Sequence, residues 1–164
     1  ELAICGEMVQ IYRDLRETEL QQAVHTFFDT MVRPNIFPEI SELCHQLRER
    51  GATLWAVSST NSWLIEDAMQ HFGIPAERVL AARVRVVNGL ITEELLDVPT
   101  DEGKAVSLAR HGVAHPDAVF GNSIHDAAML ATAAHPFAVN PTVALVELAT
   151  AEGWPIFQPG PIHV

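Results

Sequence analysis

From residue 53 onward, short uninterrupted apolar runs alternate with helical stripes, and this alternation constrains the fold more than any other feature of the chain. Thr53-Leu54-Trp55-Ala56-Val57 lacks the polar residue at every second position that marks a half-exposed strand. A run of that kind predicts a strand buried on both faces, as in a parallel sheet. Residues 63–72 read as a helix ending before Gly73, and 102–110 as one ending before Gly112. Glycine is the common residue just past a helix end, because it takes the left-handed conformation without steric cost. Short strands are expected at 79–82, 118–120, 137–139 and 154–157, with helices at 124–134 and 142–151. Residues 83–87 and 90–95 flank Asn88-Gly89, a strong signal for a two-residue hairpin. Strand and helix alternating in this way imply an α/β protein with a mainly parallel sheet, helices covering both faces in three layers.

The first part of the chain reads differently. Ile4, Met8, Ile11, Tyr12 and Leu15 recur at helical spacing, as do Leu20, Val24, Phe27, Phe28 and Met31. Arg33-Pro34 breaks that pattern, since the residue before a proline avoids the helical region. A further helix starts at Phe37-Pro38, carries Ile40, Leu43, Cys44 and Leu47 on one stripe, and ends at Gly51. The organisation expected is a small helical cap over 1–33, an α/β core over 34–158 and a tail over 159–164. The cap is expected over the carboxyl edge of the sheet, where ligands bind in such folds. The chain opens within a helical pattern and without an initiator Met, so a segment is expected upstream of Glu1.

Composition narrows the function classes. A hydrophobic content of 48% and a charged content of 19% suit an ordinary globular domain of 164 residues. The net charge of −11 argues against a nucleic-acid or acidic-membrane partner, since both require clustered Lys and Arg. An anionic substrate must then be drawn in by a local positive feature. Cys5 and Cys44 fall in helical stretches and read as reduced thiols rather than a disulfide. No apolar run approaches the ~18 residues of a membrane span, and no signal-peptide pattern is present. The expectation is a cytoplasmic protein acting on a small molecule, and no feature points to a particular oligomeric state.

Three places carry candidate chemistry, each where a strand ends or a helix begins. Ser58-Ser59-Thr60-Asn61 follows the Trp55 strand, where a hydroxyl and helix-start N–H groups can hold an anion or simply cap the helix. Lys104 stands in the first turn of a helix, opposing the macrodipole, so it either holds an anion or is a solvated surface residue. Gly121-Asn122-Ser123-Ile124-His125-Asp126 follows a buried strand and offers the hard oxygen donors Mg²⁺ requires. A capped helix start with Asp126 in its first turn explains the same residues. His125 is given no catalytic role.

The order and spacing of the three resemble the later motifs of the haloacid-dehalogenase (HAD) superfamily, and most closely its phosphoserine-phosphatase-like branch. The likeness runs from about Phe37 to Phe157 and includes the Asn88-Gly89 hairpin, Glu102-Gly103-Lys104 and Met129-Leu130. It implies a Rossmann-like fold and a Mg²⁺-dependent phosphatase working on a small soluble phosphomonoester through an aspartyl-phosphate intermediate. In that family an Asp-x-Asp pair after the first strand supplies nucleophile and general acid–base. By resemblance Ser58 and Ser59 bind the phosphoryl group, Lys104 neutralises its charge, and Asn122 and Asp126 serve the metal.

Two departures stand out. No Asp-x-Asp occurs in the chain; Asp29-Thr30-Met31 lies in a helical pattern and has Met31 where the second acid belongs. Asn122 occupies the place of a metal-binding acid and lacks its formal charge. Either the motif lies upstream of Glu1 and this chain alone is inactive, or a family member has lost chemistry and kept a phosphate pocket. A nucleotide-binding module lacks support, because no glycine-rich phosphate loop is present. A dehalogenase proper suits Lys104 and the oxygen-rich corner less well. Arg13, Arg16 and Arg33 are candidate contacts to a substrate carboxylate, or solvated helix charges.

Overall fold

The computed structural model describes residues 2–160, so Glu1 and the expected tail at 161–164 lie outside the described residues. Two compact units divide at Val98 and Pro99. The expected boundary between cap and core at residue 33 falls inside the first of them.

The first unit opens with α1 (Leu2–Gln10) and α2 (Glu17–Phe27), a π-helical turn (Phe28–Val32) and a 3₁₀ turn (Arg33–Asn35). It continues through α3 (Pro38–Glu49), β1 (Ala56–Asn61), α4 (Ser62–His71), a second 3₁₀ turn (Ala76–Arg78), β2 (Val79–Val87) and β3 (Leu90–Asp97). The strands form one sheet in the order β1-β2-β3. β2 pairs parallel to β1 through Val79 to Ala82, then antiparallel to β3 from Arg83 onward. The two short strands expected at 79–82 and 83–87 are therefore one, whose halves serve different neighbours. Asn88 and Gly89 turn the hairpin with φ of 51° and 75°, the positive values a mirror-image turn needs.

The helices of the expected cap share a core with this sheet. Val9, Leu20 and Val24 are buried together with Trp63, Ala82, Val84 and Ile91. The Trp63 ring meets Tyr12 edge-on at 6.0 Å, and its indole N–H donates to Glu17 Oε1 at 3.0 Å. Backbone bonds tie the α1–α2 connection to the hairpin, Asp14 N–H to the Ile91 carbonyl and Glu17 N–H to the Gly89 carbonyl, both at 2.9 Å.

β1 begins at Ala56 rather than Thr53 and continues through Ser58, Ser59 and Thr60. Pairing with β2 decides its extent, and that pairing ignores the polarity of the side chains. Its register is regular from Ala56 to Ser58 and irregular between Ser58 and Asn61.

The second unit contains α5 (Glu102–Arg110), β4 (Ala118–Gly121), a 3₁₀ turn (Ile124–Asp126), α6 (Ala127–Leu130), β5 (His135–Val139), α7 (Val143–Glu152) and β6 (Ile156–Phe157). Its three strands are parallel in the order β4-β5-β6. Leu108, Val119, Met129, Leu130, Leu145 and Ala149 fill its core. The helix expected over 124–134 is only a 3₁₀ turn and the four-residue α6. The chain leaves it early because Ala134 N–H bonds the Pro116 carbonyl at 3.1 Å and His135 N–H bonds the Asp117 carbonyl at 2.9 Å. Parallel pairs predominate as expected, but the strands form two hydrogen-bonded sheets instead of one. β1 and β4 each keep one edge without a strand partner among the described residues.

Candidate active site

In the second unit, β4 and α5 bring two of the expected residues into contact. Lys104 is 7% exposed and Asp126 4% exposed, and the lysine Nζ lies 2.5 Å from Asp126 Oδ1. The other carboxylate oxygen accepts from the backbone N–H of Asn122 at 2.9 Å and of Ser123 at 3.0 Å. Ser123 is the N-cap of the turn and forms a reciprocal capping box with Asp126. Gly121 makes this approach possible, since a Cβ there would sit 2.7 Å from Asp126 Cβ. Burial pushes the Asp126 pKa up, but the Lys104 hydrogen bond and charge, with the Ser123 and Asn122 amides, hold it below the usual carboxylate value. A buried lysine excludes the solvated-surface explanation. Its place against the helix dipole is explained by the carboxylate that faces it.

Asn122 reaches this cluster through its backbone; the residue is exposed. His125, given no catalytic role from the sequence, makes a contact that the sequence did not foretell. Its Nδ1 lies 2.6 Å from Asp101 Oδ1, both groups partly buried. Asp101 has φ 49° and ψ −127°, a strained conformation for a residue with a side chain. The signal was positional: Asp101 shares the start of α5 with Lys104, and His125 adjoins Asp126, so one pairing brings the other with it. Beside them the hydroxyl of Thr100 is buried without a hydrogen-bond partner among the described residues, the kind of orphan that a bound ligand or water would satisfy.

Ser58 and Ser59 lie in the first unit, half-buried on β1. Ser58 Oγ accepts from Thr60 N–H at 3.1 Å, which leaves its own hydroxyl proton to donate. Asn61 rather than a serine caps α4, its Oδ1 accepting from Leu64 N–H at 3.0 Å. Of the arginines considered for substrate contact, Arg13 pairs with exposed Glu93 at 3.5 Å and Arg33 with Asp29 at 2.7 Å. Arg16 is exposed where the chain bridges to Leu90. Asp29 itself sits in the π-helical turn, as its helical pattern implied.

Mg²⁺ asks for near-octahedral oxygen coordination. Both Asp126 oxygens are already engaged by protein donors. Among the described residues no group of three or more His, Cys, Asp or Glu is placed to hold a metal ion. The residues present do not by themselves build such a site.

Parallel strands that end in polar turns, with helices starting beside them, are the architecture of α/β ligand-binding enzymes. The chain belongs to the haloacid dehalogenase-like hydrolase family, whose model matches residues 1–131, a span holding Ser58, Lys104, Asn122 and Asp126. Solved structures share its Rossmann-like fold. A protein of unknown function from Bordetella pertussis Tohama I superposes with a TM-score of 0.84 at 23% identity, over 95% of this chain and 73% of that one. A substrate-bound phosphoserine phosphatase complex gives 0.60 at 16%, over 93% and 69%. A phosphoserine phosphohydrolase-like protein from Francisella tularensis subsp. tularensis SCHU S4 gives 0.58 at 18%, over 73% and 57%. No curated protein sequence shows a significant match.

Proposed function

We propose that this chain is the larger part of a phosphatase domain that hydrolyses a small soluble phosphomonoester through an aspartyl-phosphate intermediate. The buried Lys104–Asp126 pair carries the reading. An ammonium held at 2.5 Å by one carboxylate oxygen keeps further N–H donors for a phosphoryl oxygen. Fixed positive charge at that oxygen stabilises the spread negative charge of phosphoryl transfer. By resemblance to the family, the Ser58 hydroxyl and the Ser59 N–H would bind phosphoryl oxygens. An aspartate oxygen forms a bond to phosphorus as the ester P–O bond breaks, and the leaving alkoxide takes a proton from the general acid. Water then cleaves the aspartyl phosphate, releasing inorganic phosphate and restoring the carboxylate.

The two aspartates of this chemistry are not among the 164 residues, which contain no Asp-x-Asp. We place them on a strand outside this sequence; a strand adds by backbone pairing at open edges such as those of β1 and β4. Mg²⁺ would neutralise phosphate charge with carboxylates drawn from those aspartates, Asn122 and Asp126 giving only support. The helices of residues 2–33 would select the substrate. The free thiols Cys5 and Cys44 suit a cytoplasmic enzyme.

A second reading, a non-catalytic phosphate-binding protein of this fold, is favoured by Asn122 and by the engagement of both Asp126 oxygens. Hydrolysis of an aryl phosphate with and without Mg²⁺ separates the two. The chain should be compared with a form extended upstream by about 30 residues, room for a strand and its loop. Activity confined to the extended form, falling about 100-fold or more in Lys104→Ala, is the expected result. No hydrolysis by either form, with phosphate still raising the melting temperature, would replace the phosphatase with the binding protein.

A further inference from the structure

At the amino ends of β1 and β2 the first unit contains a cavity of about 360 Å³. Its lining includes His45, Arg48 and Glu49 from the last turns of α3, Leu54 from the lead-in to β1, Gly73 after α4, and Arg78 just before β2. We propose that this cavity binds a small polyanion, a metabolite bearing phosphate or carboxylate groups, independently of the Lys104 site in the second unit.

Three observations support the assignment. The Arg48 side chain lies across Gly73, where a side chain at residue 73 would collide with the guanidinium. Its Nη1 donates to the Phe72 carbonyl at 3.4 Å, so the group is positioned while most of its five N–H donors stay available. Arg78, half-buried at the end of its 3₁₀ turn, is a second arginine in the lining of the same space. Glu49, the acid in the lining, is engaged by His45, whose Nε2 lies 3.3 Å from its Oε1.

Two arginines and a single acid, Glu49, therefore line one small space, in a chain whose net charge of −11 otherwise repels anions. The volume falls within the range of small-molecule pockets. Substrates of α/β folds enter at the carboxyl ends of the strands, so an anion here acts as an effector. By joining α3, the end of α4 and the start of β2, it would fasten α3, a helix with no fully buried side chain.

Amide NMR titration of the unsubstituted protein with pyrophosphate, and separately with citrate, tests this and tells a phosphate ligand from a carboxylate one. The Leu54 and Gly73 amides report this cavity, whereas Gly103 and Ser123 report the Lys104 site. Saturable shifts at Leu54 and Gly73 with either probe, weakened about tenfold or more by Arg48→Ala and by Arg78→Ala, are expected. The Gly103 and Ser123 shifts should keep their own affinity in those variants. Unmoved Leu54 and Gly73 amides, or unchanged affinity in both arginine variants, would overturn the proposal. Shifts at Gly103 and Ser123 alone would leave the phosphatase reading standing while removing this one.

Discussion

Lys104 and Asp126 show how much one ion pair depends on its surroundings. Asp126 does not need the lysine alone, because two backbone amides already bind its second oxygen. Lys104 depends on Asp126 more heavily, since removing one member of a buried pair strands the other charge. Asp126→Asn should therefore cost about 3–5 kcal/mol of stability, read from the urea midpoint. The same pair sets an acid limit. The Asp126 pKa is lowered in the folded protein, so below the ordinary carboxylate value of about 4 the unfolded state binds the extra proton first. The stabilisation is complete above that value and is lost as the pH falls through the folded pKa. Urea midpoints between about pH 5 and pH 2 should fall less steeply in Asp126→Asn than in the unsubstituted protein. In the sequence Lys104 was legible as an anomaly, a cation at the wrong end of a helix. The Asp101–His125 contact and the orphaned Thr100 hydroxyl were not, because a strained φ and a missing partner leave no mark on residue type.

At the scale of elements, helix ends were the legible part. Gly51, Gly73, Gly112 and Gly153 all follow helices and all have positive φ, a local requirement that residue type reveals. The N-terminus of α4 is as local: Asn61 supplies the cap, and Asn61→Ala should cost about 1 kcal/mol, measurable by chemical denaturation. The same loss should not follow from Thr60→Ala, whose side chain caps nothing among the described residues. Strand limits were less readable. β1 extends beyond Ser58 to Asn61 because Asn61 pairs again with β2 past an irregularity at Ser59 and Thr60, and β2 joins two expected strands because its halves meet different neighbours. The truncation of the helix after Asp126 has a similar origin. Its residues suit a helix, but backbone partners at Pro116 and Asp117 draw the chain into β5.

Across the whole molecule, charge is the property that sequence alone supplies. With a net charge of −11, the long-range field opposes an anionic substrate, and salt screens that field within about 10 Å at 0.1 M. If the proposed extended form hydrolyses an aryl phosphate, its kcat/KM should rise as ionic strength increases from about 0.01 to 0.1 M. A fall would mean that the local charge of Lys104 outweighs the global field. The class of fold, the turn at Asn88-Gly89 and the family resemblance carried by the order of Ser58, Lys104 and Asp126 were legible in the sequence itself. Each rests on short-range periodicity, local φ requirements or fixed motif order. Tertiary structure alone decided that the strands hydrogen-bond as two sheets, that helices α1 and α2 share a core with β2 and β3, and that Asp126 faces Lys104. It also placed Arg48 and Arg78 around one cavity. Those outcomes depend on pairing and burial between residues far apart in the chain, and no local pattern encodes which distant partner a strand edge or a buried charge will meet.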